Sequence, residues 1–260
     1  MEFPGFQITA DDLDTSKDYL TTGCPIIDKE LRGGISRRGI TQIYGEAGTG
    51  KTQLALQFCL TAQIPTVEGC QAGAIYICTE SVFPSKRLQN LLEESPIAKE
   101  HNLNGDLIFI EHISTVNDLE ICVINRLPIL LSNRRIGLVI IDSIAAPYRV
   151  EYESTELRNR AKSFRNIGKV LHSYSRKFNI AVVCINQASS SIDDPIIDDN
   201  ICIKIKPVLG ITWATQVTHS FCLCKFNGQR HIHTMESPYL PRKLILFEIK
   251  ETGVHGLSET

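Results

Sequence analysis

The sequence predicts an α/β fold: a mostly parallel twisted sheet flanked by helices, with a C-terminal antiparallel strand extension. Three observations predict it. Short β-branched runs alternate with longer helical stretches from residue 40 onward. The runs are apolar throughout rather than at every second residue, as strands covered on both faces must be. After about residue 216 the long helices stop while the strands continue.

The strands are expected at Ile40–Tyr44, Ala74–Cys78, Leu107–Ile110, Leu138–Ile141 and Ile180–Ile185. Helical stretches separate them at 51–63, 84–94, 116–131 and 155–178. Strands that alternate with helices pair in parallel through right-handed crossovers. The stretches 216–226, 229–236 and 243–250 then follow without long helices between them. Asn227-Gly228 is a tight hairpin turn between the first two, because both residues tolerate positive φ. Residues 1–30 hold seven Asp/Glu against two Lys. Residues 1–20 are therefore expected to form an acidic arm, and 21–260 a single core.

The chain has 260 residues, with 27 Lys+Arg against 29 Asp+Glu and a net charge of −2. That length suits one large domain with a substantial core. At 43% hydrophobic and 22% charged it has the composition of a globular protein, not of a disordered or fibrous one. The balance excludes a polycation that coats nucleic acid, but not a local basic patch. Nine Cys, an odd count without a signal peptide, point to a reducing compartment. No apolar run approaches the ~18 residues a membrane span needs, so no membrane partner is expected.

Gly45-Glu46-Ala47-Gly48-Thr49-Gly50-Lys51-Thr52 fits G-x-x-x-x-G-K-[ST] between a strand and a helix. Its glycines let backbone N–H groups turn toward phosphate oxygens, and the helix N-terminus adds positive potential. Lys51 supplies a charge for the β- and γ-phosphates of ATP, and the Thr52 hydroxyl can ligate Mg²⁺. Leu138–Ile141 ends in Asp142, which suits water-mediated Mg²⁺ binding and equally a turn cap. Glu80 follows the strand Ala74–Cys78. If that strand lay between those of the phosphate loop and Asp142, Glu80 would face the γ-phosphate and could deprotonate a water. Alternatively it is a solvated carboxylate, or one paired with Arg87.

These segments resemble the RecA-like recombinase family of homologous recombination, from Leu20 onward. The resemblance is carried by the phosphate loop, by Thr79-Glu80 with Pro84 and Arg87, by Asp142-Ser143 and by Cys184-Ile185-Asn186-Gln187. It implies a RecA-like P-loop ATPase core with Glu80 as catalytic carboxylate and Gln187 as γ-phosphate sensor. Tyr76–Glu80, Phe83-Pro84, Lys86–Gln89, Ala145-Ala146-Pro147 and Leu209–Ala214 are more narrowly similar to a eukaryotic DNA-repair paralogue within that family. This implies a nuclear protein paired as a heterodimer with another recombinase paralogue, the one lettered C. It would support the recombinase filament and meet single-stranded or branched DNA through that complex. Glu236–Pro241 resembles the family loop that caps the nucleotide of an adjacent subunit.

The sequence departs from the family in five places, one of them Leu209 where the first of two glycines is expected before Ile211. Only about 20 residues precede the match, where relatives carry a small helical domain. Gly5–Ala10 resembles the family polymerisation motif loosely, with Thr9 where its Ala belongs. The first DNA loop, near Pro147–Thr155, keeps Tyr148 and Arg149 but is short. The second, about Ala188–Pro207, carries Asp193, Asp194, Asp198 and Asp199 against Lys204 and Lys206, which disfavours contact with phosphate. Two other activities stay open: autonomous DNA-dependent strand exchange, and a small-molecule P-loop kinase.

Two further patterns stand out. In 155–178, Leu157, Ala161, Phe164, Gly168 and Leu171 are expected to face the core. Arg158, Lys162, Arg165, Lys169 and Arg176 form a neighbouring stripe, either a contact surface for DNA or an acidic partner, or a solvated face. The hairpin turn would set Cys224 opposite His231 and Cys222 opposite His233 on one face. These are zinc-type ligands, but their spacing suits packing better than a tetrahedral site.

Overall fold

A computed structural model describes residues 18–65, 71–151, 157–190, 196–198, 201–203 and 205–258. In chain order the elements begin with β1 (Tyr19–Leu20), α1 (Pro25–Glu30), β2 (Ile35–Ser36), β3 (Ile40–Gly45), α2 (Lys51–Thr61) and β4 (Gly73–Cys78). There follow α3 (Ser85–Glu94), α4 (Pro96–Glu100), β5 (Ile108–His112), α5 (Val116–Ile121), a π-turn (Cys122–Arg126) and α6 (Leu127–Asn133). Next come β6 (Ile136–Asp142), α7 (Ala146–Glu151), α8 (Leu157–Phe178), β7 (Ala181–Ser190), β8 (Ile196–Asp198), β9 (Ile201–Ile203) and β10 (Ile205–Pro207). The chain ends with α9 (Gly210–Ala214), β11 (His219–Phe226), β12 (Gln229–Glu236), β13 (Leu244–Lys250) and β14 (Gly253–Gly256).

A ten-stranded sheet runs β14-β13-β12-β11-β3-β7-β6-β4-β5, with β10 added to β7. The strands from β11 through β3, β7, β6 and β4 to β5 pair in parallel. Those from β11 to β14 pair antiparallel, as the loss of intervening helices requires. Alternation along each parallel strand feeds two cores. Ile43, Tyr76, Ile140 and Val183 pack on the α2 side. Ile40, Ile77, Val139 and Val182 pack on the α8 side with Phe164, Ile167 and Leu171. Each such side chain contributes about 1.5–3 kcal/mol by leaving water.

The strand order differs from the condition set for Glu80. The Asp142 strand, β6, lies between β7 and β4, so β4 is not between β3 and β6. Apolar runs identify strands but do not encode lateral order. The helix expected over 116–131 is also interrupted, by the π-turn before α6. Pro128 at the start of α6 has no N–H for the ladder, and the wider turn accommodates the break.

Leu157, expected in the core, is 60% exposed in the first residue of α8, whereas Phe164 and Leu171 are sealed. The segment read as a second loop is partly strand. Ser190, Ser189 and Ala188 pair with Ile205, Lys206 and Pro207, and β8 pairs with β9. Asp193, Asp194, Asp199 and Lys204 lie outside the described residues, as do most of the N-terminal arm and Gly5–Ala10. The described end of that arm is anchored: Tyr19–Leu20 pair with Ser36–Ile35, and Leu20 is buried.

Candidate functional site

The site lies at the carboxyl ends of β3, β7, β6 and β4, where open α/β sheets form their ligand crevice. The loop after β3 is shaped by two glycines. A Cβ on Gly45 would stand 2.1 Å from the Leu223 carbonyl oxygen of β11, so the strand can continue there only without a side chain. Gly50 caps α2 at φ 114°, a left-handed conformation that suits glycine. It offers no side chain to the helix, so the first N–H groups of α2 have no side-chain cap. An eleven-residue helix then presents its positive end to the crevice.

Glu46, Ala47 and Gly48 are exposed at the tip of the loop, while Thr49 is buried and donates through Oγ1 to the Glu46 carbonyl at 2.9 Å. Lys51 Nζ donates to the carbonyls of Gly45 and Glu46, each at 2.8 Å. Burial lowers its pKa, and the negative charges of Asp142 and Glu80 oppose that shift. Thr52 Oγ1 donates to Asp142 Oδ2 at 3.2 Å. The Tyr76 hydroxyl, one strand over on β4, donates to the same oxygen. Burial pushes the Asp142 carboxyl up, while Tyr76, Thr52 and Lys51 pull the other way. A half-buried carboxylate beside a threonine hydroxyl is a hard-oxygen donor set, and it fits Mg²⁺.

Glu80 sits on the far side of Asp142. Its Oε1 accepts from Gln187 Nε2 at 2.7 Å, and its Oε2 accepts from Ser143 Oγ at 3.3 Å. Arg149 of α7 donates to Gln187 Oε1. That contact fixes the amide so that its NH₂ faces Glu80. Thr79 ties β4 to β6, accepting from the Ser143 N–H at 2.8 Å and donating to its carbonyl at 2.5 Å. The Asp142–Ser143 peptide is cis. Arg87 does not pair with Glu80. It binds Gln53, Asn90 and the carbonyls of Lys250 and Glu251, joining α3 to the turn between β13 and β14.

The structure thus places Lys51, Thr52, Asp142, Glu80 and Gln187 in one crevice, Glu80 through Gln187 and Ser143 rather than from a strand between β3 and β6. Sequence reasoning missed four neighbours. Tyr76 was legible in principle, since a tyrosine inside an apolar strand needs a partner for its hydroxyl. Ser143 and Arg149 carry no motif signal for this contact. Lys225 lies over the loop, with Nζ 3.6 Å from where a Gly48 Cβ would be. Its placement follows from the pairing of β11 with β3, and strand order is not written in periodicity. Tyr148 is a core residue, bonded to Ser163 at 2.7 Å and packed on Phe164.

The hairpin register is as expected, Cys222 opposite His233 and Cys224 opposite His231, all four buried. Among the described residues no group of three or more His, Cys, Asp or Glu is arranged to hold a metal ion. In the loop after β12, Tyr239 packs edge-on against Tyr19 and His219 of its own chain. Among the described residues no helix is long and apolar enough to cross a membrane.

The Rad51 family model matches residues 17–257, which include the phosphate loop and every strand of the large sheet. The chain belongs to the Rad51 family. Among curated Rad51 relatives it is 36% identical over 265 residues to DNA repair protein XRCC3 of Bos taurus, covering 93% of this chain and 75% of that one. It is 36% identical over 270 residues to DNA repair protein XRCC3 of Mus musculus, covering 93% and 76%. It is 31% identical over 284 residues to DNA repair protein rhp57 of Schizosaccharomyces pombe, covering 93% and 80%. The RecA-like core expected from sequence is therefore the family fold, with a mostly parallel sheet and C-terminal antiparallel strands.

Proposed function

We propose that this protein binds ATP with Mg²⁺ and serves homologous-recombination DNA repair in the nucleus, as one subunit of a heteromeric assembly of Rad51 paralogues. Its core would be a single ATPase unit. The observation that carries the nucleotide reading is the uncapped start of α2 beside Lys51, Thr52 and the half-buried Asp142. Gly45–Thr52 would cradle the phosphates and Lys51 would turn from its two loop carbonyls to them. Thr52 and Asp142 would hold the metal, which when bound neutralises charge between the β- and γ-phosphates. Glu80 would accept the proton of the attacking water, and Gln187 would position Glu80. Titration calorimetry with MgATP tests this: we expect binding that Lys51→Ala weakens by about 10–100-fold, the loss of one charge-assisted contact. Unchanged affinity in that variant would remove the assignment.

The assembly reading is supported by the sheet edge. Among the described residues β5 has no strand beyond it, Ile110 is 43% exposed there, and a small cavity beside it is lined by Phe109, Cys122 and Leu127. An open edge with an apolar pocket suits an added strand from a partner. The partner proposed from family resemblance is the paralogue lettered C, with the recombinase filament and single-stranded or branched DNA met through that complex.

A further inference from the structure

The helix α8 carries Arg158, Arg160, Lys162, Arg165, Lys169, Arg176 and Lys177 in 22 residues, with no Asp or Glu. The whole chain is nearly neutral at −2, so this is a local concentration of charge. Five of these cations, at positions 158, 162, 165, 169 and 176, recur at spacings of three, four and seven residues. At 100° per residue they fall within about 40° of one line along the helix. All five are exposed. Among the described residues none of the seven pairs with an Asp or Glu. Near the C-terminal end the line borders an open groove of about 600 Å³, lined by Lys169, His172, Ser173, Arg176 and Lys177.

A row of unpaired like charges is unfavourable in isolation and becomes favourable against a linear polyanion. The row spans about 27 Å at 1.5 Å per residue. That equals roughly eight phosphate steps along one strand of a duplex. On one side the row is flanked by Asn159, Asn166 and Ser173, polar and uncharged, and on the other by Ala161, Gly168 and His172, none of them a large apolar side chain. The aromatic rings of α8 point elsewhere: Phe164 is 1% exposed, Tyr174 9%, and Phe178 is half-buried against the same core. The row therefore has no apolar anchor of the kind that carries protein–protein affinity, and no stacking platform for unpaired bases. Leu157, the exposed apolar residue of α8, lies about a quarter-turn off the line.

We infer that the exposed face of α8 binds the phosphate backbone of duplex DNA, without sequence preference. The surface is separate from the nucleotide site, because α8 packs in the core on the face of the sheet opposite α2. The inference goes beyond the proposed function, which routes DNA through the complex, and it does not require nucleotide.

The test uses the full chain without nucleotide and a fluorescent 30-base-pair duplex, titrated across a salt series by anisotropy. Five phosphate contacts give a log–log salt slope of about −4.5. The triple variant Arg158→Gln, Arg165→Gln, Lys169→Gln is expected to make that slope shallower by about 3. At low salt it should lose at least ten-fold in affinity, equally for duplexes of unrelated sequence. The corresponding Arg158→Lys, Arg165→Lys variant keeps the charge and should keep the slope. Thermal melts of both variants verify folding, and MgATP titration of the triple variant should be unaltered. An unchanged slope and affinity in the folded triple variant would overturn the inference. So would intact duplex binding with lost pairing to a partner paralogue, which would assign the row to an acidic protein surface instead. Absence of ATP binding would count against the nucleotide reading alone, since the duplex measurement contains none.

Discussion

Helices α2 and α8 lie on opposite faces of one sheet and meet solvent in opposite ways. α2 has one charged residue, Lys51, in its first turn, and residues 54–61 are all buried. Its chemistry is confined to its tip, where the strands end and the backbone amides are uncapped. α8 buries a single stripe, including Phe164, Ile167 and Leu171, and shows solvent a charged face along its length. A helix that needs one ligand at one point can be sunk into the core up to that point. A helix that meets an extended ligand must keep a whole face free.

Three substitutions sharpen or break that contrast. The largest effect is expected from Glu80→Gln in the crevice that α2 faces, beyond Asp142. In the proposed role, Glu80 is the base, and its loss should slow ATP turnover by about 10²–10⁴-fold, with ATP affinity changed only a few-fold. A phosphate-release assay showing wild-type turnover would take Glu80 out of that role. On the α8 side, Phe164→Ala empties the centre of a ring cluster, since Phe164 packs on Tyr148 at 4.2 Å and Trp213 at 5.7 Å between ring centroids. A cost of about 3–5 kcal/mol is expected in a denaturant melt. A loss below about 1 kcal/mol would mean that α8 is held by something other than its buried stripe.

The smallest effect has the opposite sign. Burial raises the Asp142 pKa above its ordinary value of 3.8. A raised native pKa favours the protonated form, so this contribution to stability is complete below about pH 4 and is lost as pH rises through the native pKa. At neutral pH the ionised carboxylate is therefore a local liability in the metal-free protein. Asp142→Asn should raise Tm by about 2–4 °C at pH 7, roughly 1 kcal/mol for a chain of this size. The same variant should lose any further rise on adding MgATP. A Tm that falls in the metal-free variant would show that Tyr76, Thr52 and Lys51 already compensate the charge.

Much of this arrangement was legible in the sequence. Gly45–Thr52 specifies its own strand–loop–helix context, Asp142 ends β6, Glu80 follows β4 by two residues, and Gln187 lies within the strand β7 that the run Ile180–Ile185 announces. What was not legible depended on lateral order. Nothing in the apolar runs says that β7 lies beside β3, or that β6 separates β7 from β4. The contacts of Gln187 with Glu80 and Arg149, of Tyr76 with Asp142, and of Lys225 with the loop follow from that order. The basic row was visible as a period, but whether acidic neighbours neutralised it depended on the tertiary fold.

The cysteines carry one more consequence. Seven of the nine, from Cys24 to Cys224, are free and buried in the described residues. Burial pushes the Cys78 thiol up to about 12 and the Cys122 thiol to about 11, and raises Cys59 and Cys184 as well. Alkylating reagents attack the thiolate, so these positions are closed to them both sterically and chemically while the fold is intact. Cys59 lies on α2, Cys78 on β4, Cys184 on β7 and Cys122 at the π-turn. The rate at which each is labelled is thus a clock for the opening of its own element, already distributed through both cores without a single engineered probe.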